Sequence, residues 1–202
     1  MCTDAAMSAV DTAATAGALP ADAGHILLPI ARAAISSALG QPRTAAEDAV
    51  WLQNPGACFV TLTQQRQLRG CIGTLEARQS LLADVKSNAV AAALHDQRFA
   101  PLPLAELAGT KIEVSVLSPM QALHFASEAQ ALAQLRPGMD GVVFQYGRYR
   151  STFLPQVWAQ LPDVHQFMAH LKQKAGLPPD FWAQEVQLQR YNVSKWQEEV
   201  SS

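Results

Sequence analysis

The stretch LRGCIGTLE, residues 68–76, sets a cysteine two places from an arginine and fences it between glycines. On a regular strand Arg69, Cys71 and Gly73 point to one face, and Leu68, Gly70 and Ile72 to the other. A guanidinium beside a thiol stabilises the thiolate, the form that attacks electrophiles and enters redox exchange. Gly70 and Gly73 let a ligand or another backbone approach the strand closely, and they permit a bulge that would re-aim the cysteine. A packing role competes with this reading, because cysteine is among the residue types most often buried.

Other residues could serve the same site. In HDQRF, Asp96 and Arg98 follow a helix end, where a carboxylate and a guanidinium two apart pair with each other or clamp a ligand. Glu113 in KIEVSV lies opposite an apolar row and is a candidate acid or base if its face lines a cleft. Arg150, Thr152 and Gln156 are polar groups near a hairpin and a proline break. Each has an ordinary alternative: a turn beside a helix end, the solvated side of a strand, a surface hairpin. His95 is better read as interacting with its helix end than as a base.

Several chemistries lack support. There is no G-x-S-x-G, H-E-x-x-H, P-loop or G-x-G-x-x-G motif, and no cofactor is indicated. The three cysteines, Cys2, Cys58 and Cys71, form no C-x-x-C, the five histidines are scattered, and no metal site is indicated. A formal net charge of −2 with no basic cluster argues against nucleic acid. No apolar run reaches the ~18 residues of a membrane span. Residues 1–22 are rich in Ala, Thr and Asp, contain no Lys or Arg, and read as a disordered leader on a cytoplasmic protein, with the folded domain over 23–202.

The elements that must position these residues alternate irregularly. A helix is expected from Asp22 as N-cap to Gly40, with Pro29 making its first turn irregular or its start later. Residues 58–75 read as a hairpin, and a two-residue loop at 64–65 or 65–66 puts Cys58 on the face of Cys71. A three-residue loop separates them. Ser80, Ser127 and Asp163 are expected N-caps, Ile112, Val114 and Val116 the inner row of a strand, and 185–193 a last strand. Mixed strands and helices without βαβ regularity indicate an α+β fold with mainly antiparallel sheet.

In order, GACFVTL…LRGCIGTLE, NAVAAALHDQRFAPL, IEVSVLSP and TFLPQVW…FMAHLKQKAGLPPDFW resemble the AMMECR-type domain, from about residue 24 to residue 197. In bacteria and archaea that domain is the A component of the so-called AmmeMemoRadiSam set. The resemblance implies an α+β fold of two lobes, the larger carrying an antiparallel sheet with helices. It implies a Memo-type protein and a radical-SAM protein as partners, but no established reaction. The residues matching the family pattern are Arg69 to Gly73, then Asp96, Arg98, Phe99 and Glu113, then Arg150, Thr152, Leu154, Pro155 and Gln156. Gln97 stands where the family often has proline, and QQR where it often has a glycine turn. Two functions follow as expectations. One is an enzyme or enzyme subunit with Cys71 at an inter-lobe cleft and an unknown small molecule or peptide as ligand. The other is a non-catalytic adaptor in which Cys71 is structural.

Overall fold

Alternation in KIEVSVL demands one buried face, and Ile112, Val114 and Val116 of strand β5 (Lys111–Leu117) are buried as the pattern requires. β5 lies between β2 (Cys58–Gln64) and β10 (Val193–Gln197), and β3 (Gln67–Gly73) closes the other edge, giving the antiparallel order β10-β5-β2-β3. Two helices cover the inner face: α1 (Gly24–Ala38) and α2 (Leu81–Leu94). A two-residue bridge between β1 (Pro55–Gly56) and β4 (Gln79–Ser80), and the short helix α3 (Leu104–Leu107), complete the first lobe.

The second lobe holds another antiparallel sheet of order β6-β9-β7-β8, from β6 (Gln121–Ala122), β7 (Gly141–Tyr146), β8 (Tyr149–Phe153) and β9 (Gln187–Tyr191). Helices α4 (Glu128–Leu132) and α5 (Val164–Lys174) pack on it. Its core is pinned by Trp158, which stacks on Phe167 with centroids 3.7 Å apart and donates to the Asp140 carbonyl at 2.7 Å. The fold is α+β with antiparallel sheets in two lobes. The computed structural model describes residues 19–199.

The chain crosses between lobes twice, from β5 to β6 and from β9 to β10. The crossings are tied where Ser118 N–H donates to the Asn192 carbonyl at 2.9 Å and Asn192 N–H donates to Ser118 Oγ at 3.0 Å. A small apolar cluster of Ala57, Leu117, Val143 and Tyr191 joins the two sheets.

Ser80, Ser127 and Asp163 each accept the expected cap bond, from Ala83, Gln130 and Gln166. Each such bond contributes about 1 kcal/mol. Three details differ from expectation. Helix α1 is preceded by Ala23 without a side-chain cap, not by Asp22, and Gly24 is required because a Cβ there would meet the Trp196 ring at 2.5 Å. The helix is also continuous through Pro29, whose exposed position lets the unpaired His25 carbonyl meet water. The expected last strand divides at Asn192, one half in each lobe. Of the expected leader, residues 1–18 lie outside the described residues. Leu19 already packs against the first core, and the Ala21 carbonyl accepts a bond from Trp196 Nε1 at 3.1 Å.

Candidate functional site

The first hairpin turns on two residues, Gln65 and Arg66, both in the left-handed region with φ of 50° and 67°. A two-residue loop alone would bring Cys71 to the face of Cys58. It does not, because the register slips between Leu62 and Thr63. Thr63 faces Leu68, yet Leu62 faces Gly70, so Arg69 is the extra residue of a bulge. Past the bulge Cys71 stands opposite Thr61, while Cys58 points inward with Val60 and Leu62. The two described thiols occupy opposite faces of one sheet. Cys71 is half-buried, and Thr61 Oγ1 donates to its sulfur at 3.3 Å.

The bulge also overturns the expected neighbourhood of Arg69. Its side chain turns to the helix-covered side, where Nε lies 3.5 Å from Glu106 of α3, on the face of Gln64. Gly70 and Gly73 make room for protein. A Cβ at Gly70 would fall 2.1 Å from the Ala92 carbonyl of α2, and one at Gly73 would fall 2.3 Å from the Phe59 ring.

Asp96 and Arg98 are drawn to Cys71 by its main chain. β3 is an edge strand, so the outward N–H and C=O of Cys71 have no strand to meet. Asp96 Oδ2 accepts the Cys71 N–H at 2.8 Å, and Arg98 Nη2 donates to the Cys71 carbonyl at 3.2 Å. The pair is itself joined by Arg98 Nε and Nη2 at 2.9 and 2.7 Å. Asp96 is only 6% exposed but lies near the surface, beneath the half-exposed Arg98. The Arg98 hydrogen bonds hold its carboxyl well below the usual range. Burial opposes this, and the main-chain donors of Cys71 and Arg98 reinforce it.

Glu113 shares the outer face. It is paired with Thr61 on one side, as Cys71 is on the other, so the carboxylate and the thiol are two strand spacings apart, about 9–10 Å. Lys195 Nζ lies 3.2 Å from Glu113 Oε1, and the buried Ser115 hydroxyl donates to it at 3.4 Å. Thr61 therefore forms a floor between Cys71 and Glu113. A molecule of a few bonds' length spans them; direct proton transfer does not.

The second lobe contributes Arg150, which pairs with Glu76 just beyond the β3 strand. Thr152 Oγ1 lies 3.1 Å from the Tyr191 hydroxyl, and its carbonyl accepts from Lys174 Nζ at 3.0 Å. Gln156 is exposed on the turn after β8, beside Trp158 and Pro137. Neither Thr152 nor Gln156 makes a hydrogen bond to Cys71, Asp96 or Glu113.

A second polar centre had no sequence signal beyond being polar residues on an apolar helix. Asp84 and Asn88 of α2 are buried. Asp84 accepts from the Cys58 N–H at 2.8 Å, Thr74 Oγ1 at 2.7 Å, Asn88 Nδ2 at 3.0 Å and Gln79 Nε2 at 3.1 Å. Burial, then the Asp84 charge, push the Cys58 thiol well up. A polar residue one turn from another on a buried face was the available clue. Among the described residues, no group of three His, Cys, Asp or Glu side chains is placed to hold a metal ion.

Comparison with known proteins gives this geometry a family. Protein MJ0810 of Methanocaldococcus jannaschii is 38% identical over 145 residues, 70% of this chain and 72% of that protein. A protein of Methanothermobacter thermautotrophicus is 36% identical over 187 residues, 90% of this chain and 97% of its own length. The crystal structure of the uncharacterized protein PH0010 from Pyrococcus horikoshii superposes with a TM-score of 0.74 at 31% identity, covering 88% of this chain and 92% of that one. The AMMECR1 family profile matches residues 28–196, and the chain belongs to the AMMECR1 family.

Proposed function

We propose that the chain is an enzyme or enzyme subunit whose ligand lies across Thr61, with Cys71 as the reacting thiol and Glu113 as the acid or base at the far end. One observation carries this reading: the bulge at Arg69 turns Cys71 out of the core onto the face that bears Glu113, where a regular ladder would bury it beside Val60. The clamp of Asp96 and Arg98 holds the cysteine's main chain, which fixes the direction of the thiol. Arg98, exposed and adjacent, is the guanidinium available to an anionic group of the ligand. Arg69 and the glycines act on the strand's shape. The partners are a Memo-type and a radical-SAM protein, as the family resemblance implies, in the cytoplasm.

An adaptor role is the second reading, and it too has its observation. The spaces left by Gly70 and Gly73 are filled by Ala92 and Phe59, so packing alone accounts for much of the signature. Alkylation of Cys71 against pH, resolved by mass spectrometry, separates the two when combined with partner pull-down. Rapid labelling of native Cys71, altered by Thr61→Val and by Arg98→Ala, supports the thiol site. Slow labelling, with partner complexes that survive Cys71→Ser, supports the adaptor.

A further inference from the structure

We infer that a concavity at the lobe junction is a second binding site, for a small uncharged molecule with a flat apolar ring. Its volume is about 430 Å³. Small-molecule sites are commonly of this size. Trp51, Leu81, Val116, Leu117 and Met120 form its apolar wall. Trp51 is half-buried and lines the cavity, and its indole is the aromatic surface there for a ring to stack on.

The choice of ligand rests on what is missing from the wall. This chain has 15 Lys and Arg and 17 Asp and Glu, yet among the described residues lining the cavity none is ionisable. A charge buried without a counter-charge is strongly disfavoured, so the site selects against ions. Its polar groups are neutral: the exposed Asn54 amide and Ser194 hydroxyl can orient a donor or an acceptor at the ligand's edge. Asn192 and Ser118 to Met120 also border it, and these are the two crossings between lobes. Ala57 and Leu117, both in its lining, belong to the cluster that joins the sheets. A ligand seated here touches the first lobe and both crossings together. None of this depends on the chemistry of Cys71.

The test is a titration of the isotope-labelled full chain with indole, and separately with indole-3-carboxylate, followed by nuclear magnetic resonance. Indole is expected to shift the Trp51 ring N–H and the Leu117 and Met120 methyl signals saturably. The carboxylate should bind more weakly by roughly tenfold or more. Ala77→Trp and Ser194→Trp place a ring at exposed rim positions, and each should abolish the shifts while leaving the melting curve intact. No saturable shift overturns the inference. So does equal binding of the carboxylate, or indole binding unchanged in both filled variants.

Discussion

Cys58 and Cys71 sit in adjacent strands of one sheet and meet opposite fates. Cys58 is fully buried, with Asp84 and Asn88 satisfying its main chain and its thiol pushed to higher pKa by burial. Cys71 is half-exposed, hydrogen-bonded by Thr61, and tied from outside by Asp96 and Arg98. In each case a carboxylate accepts the cysteine N–H. The two differ in what accompanies that carboxylate. A buried carboxylate met only by neutral donors makes a core anchor, whereas one paired with an exposed arginine at a sheet edge makes a mount for a side chain.

The widest separation between the two should appear in labelling. Native Cys58 is expected to alkylate at least about a thousandfold more slowly than Cys71, because reaching it requires opening of the core. Equal rates, read by peptide mass spectrometry, would break the contrast. Next in size is Asp84→Ala, which leaves the buried Cys58 N–H and Asn88 amide short of an acceptor and should lower unfolding free energy by roughly 4 kcal/mol. Gly70→Ala follows at about 3 kcal/mol, since the new methyl group meets backbone that must move. Both are measured by urea denaturation.

Asp96→Asn should lose about 1–2 kcal/mol at neutral pH, the weight of its charged hydrogen bonds. Here the sign can be checked. Arg98 depresses the folded-state value, so the contribution is present above the unfolded value of about 3.9 and fades as pH falls through the lower folded value. The gap between wild type and variant should therefore shrink only in acid; a gap that persists at low pH would locate the effect elsewhere. Smallest is Arg150→Ala. Its pair with Glu76 is solvent-exposed, and the melting temperature should stay unchanged in high salt.

Much of the scaffold was legible from local rules. Ser80, Ser127 and Asp163 stand where a hydroxyl or carboxylate caps a helix, and the period-two row of Ile112, Val114 and Val116 named its own buried face. Gln65 and Arg66 lack the usual turn residues but still form a two-residue loop. What local rules missed depends on distant contacts. The bulge exists because Gly70 admits the α2 backbone, a partner twenty-two positions away, and it reassigned Arg69 and Cys71 to different faces. The division of the last strand at Asn192 needed knowledge of which sheet each half joins. Asp96 and Glu113 were visible as candidates, but their partners, a backbone amide and Lys195, were not.

The extra residue at Arg69 has a consequence for changes in chain length. β3 carries one link more than its partner strand requires, and that link is unpaired. Removing it leaves Gly70 facing Leu62 and Cys71 facing Thr61, a continuous ladder with the same inner and outer residues. Removing Gly70 also restores the ladder but seats Arg69 where a Cβ meets the Ala92 carbonyl, and removing Cys71, Ile72 or Gly73 exchanges inner and outer for part of the strand. The hairpin can thus shorten at a single place without exchanging its two faces or crowding α2, and that place is the arginine of the signature.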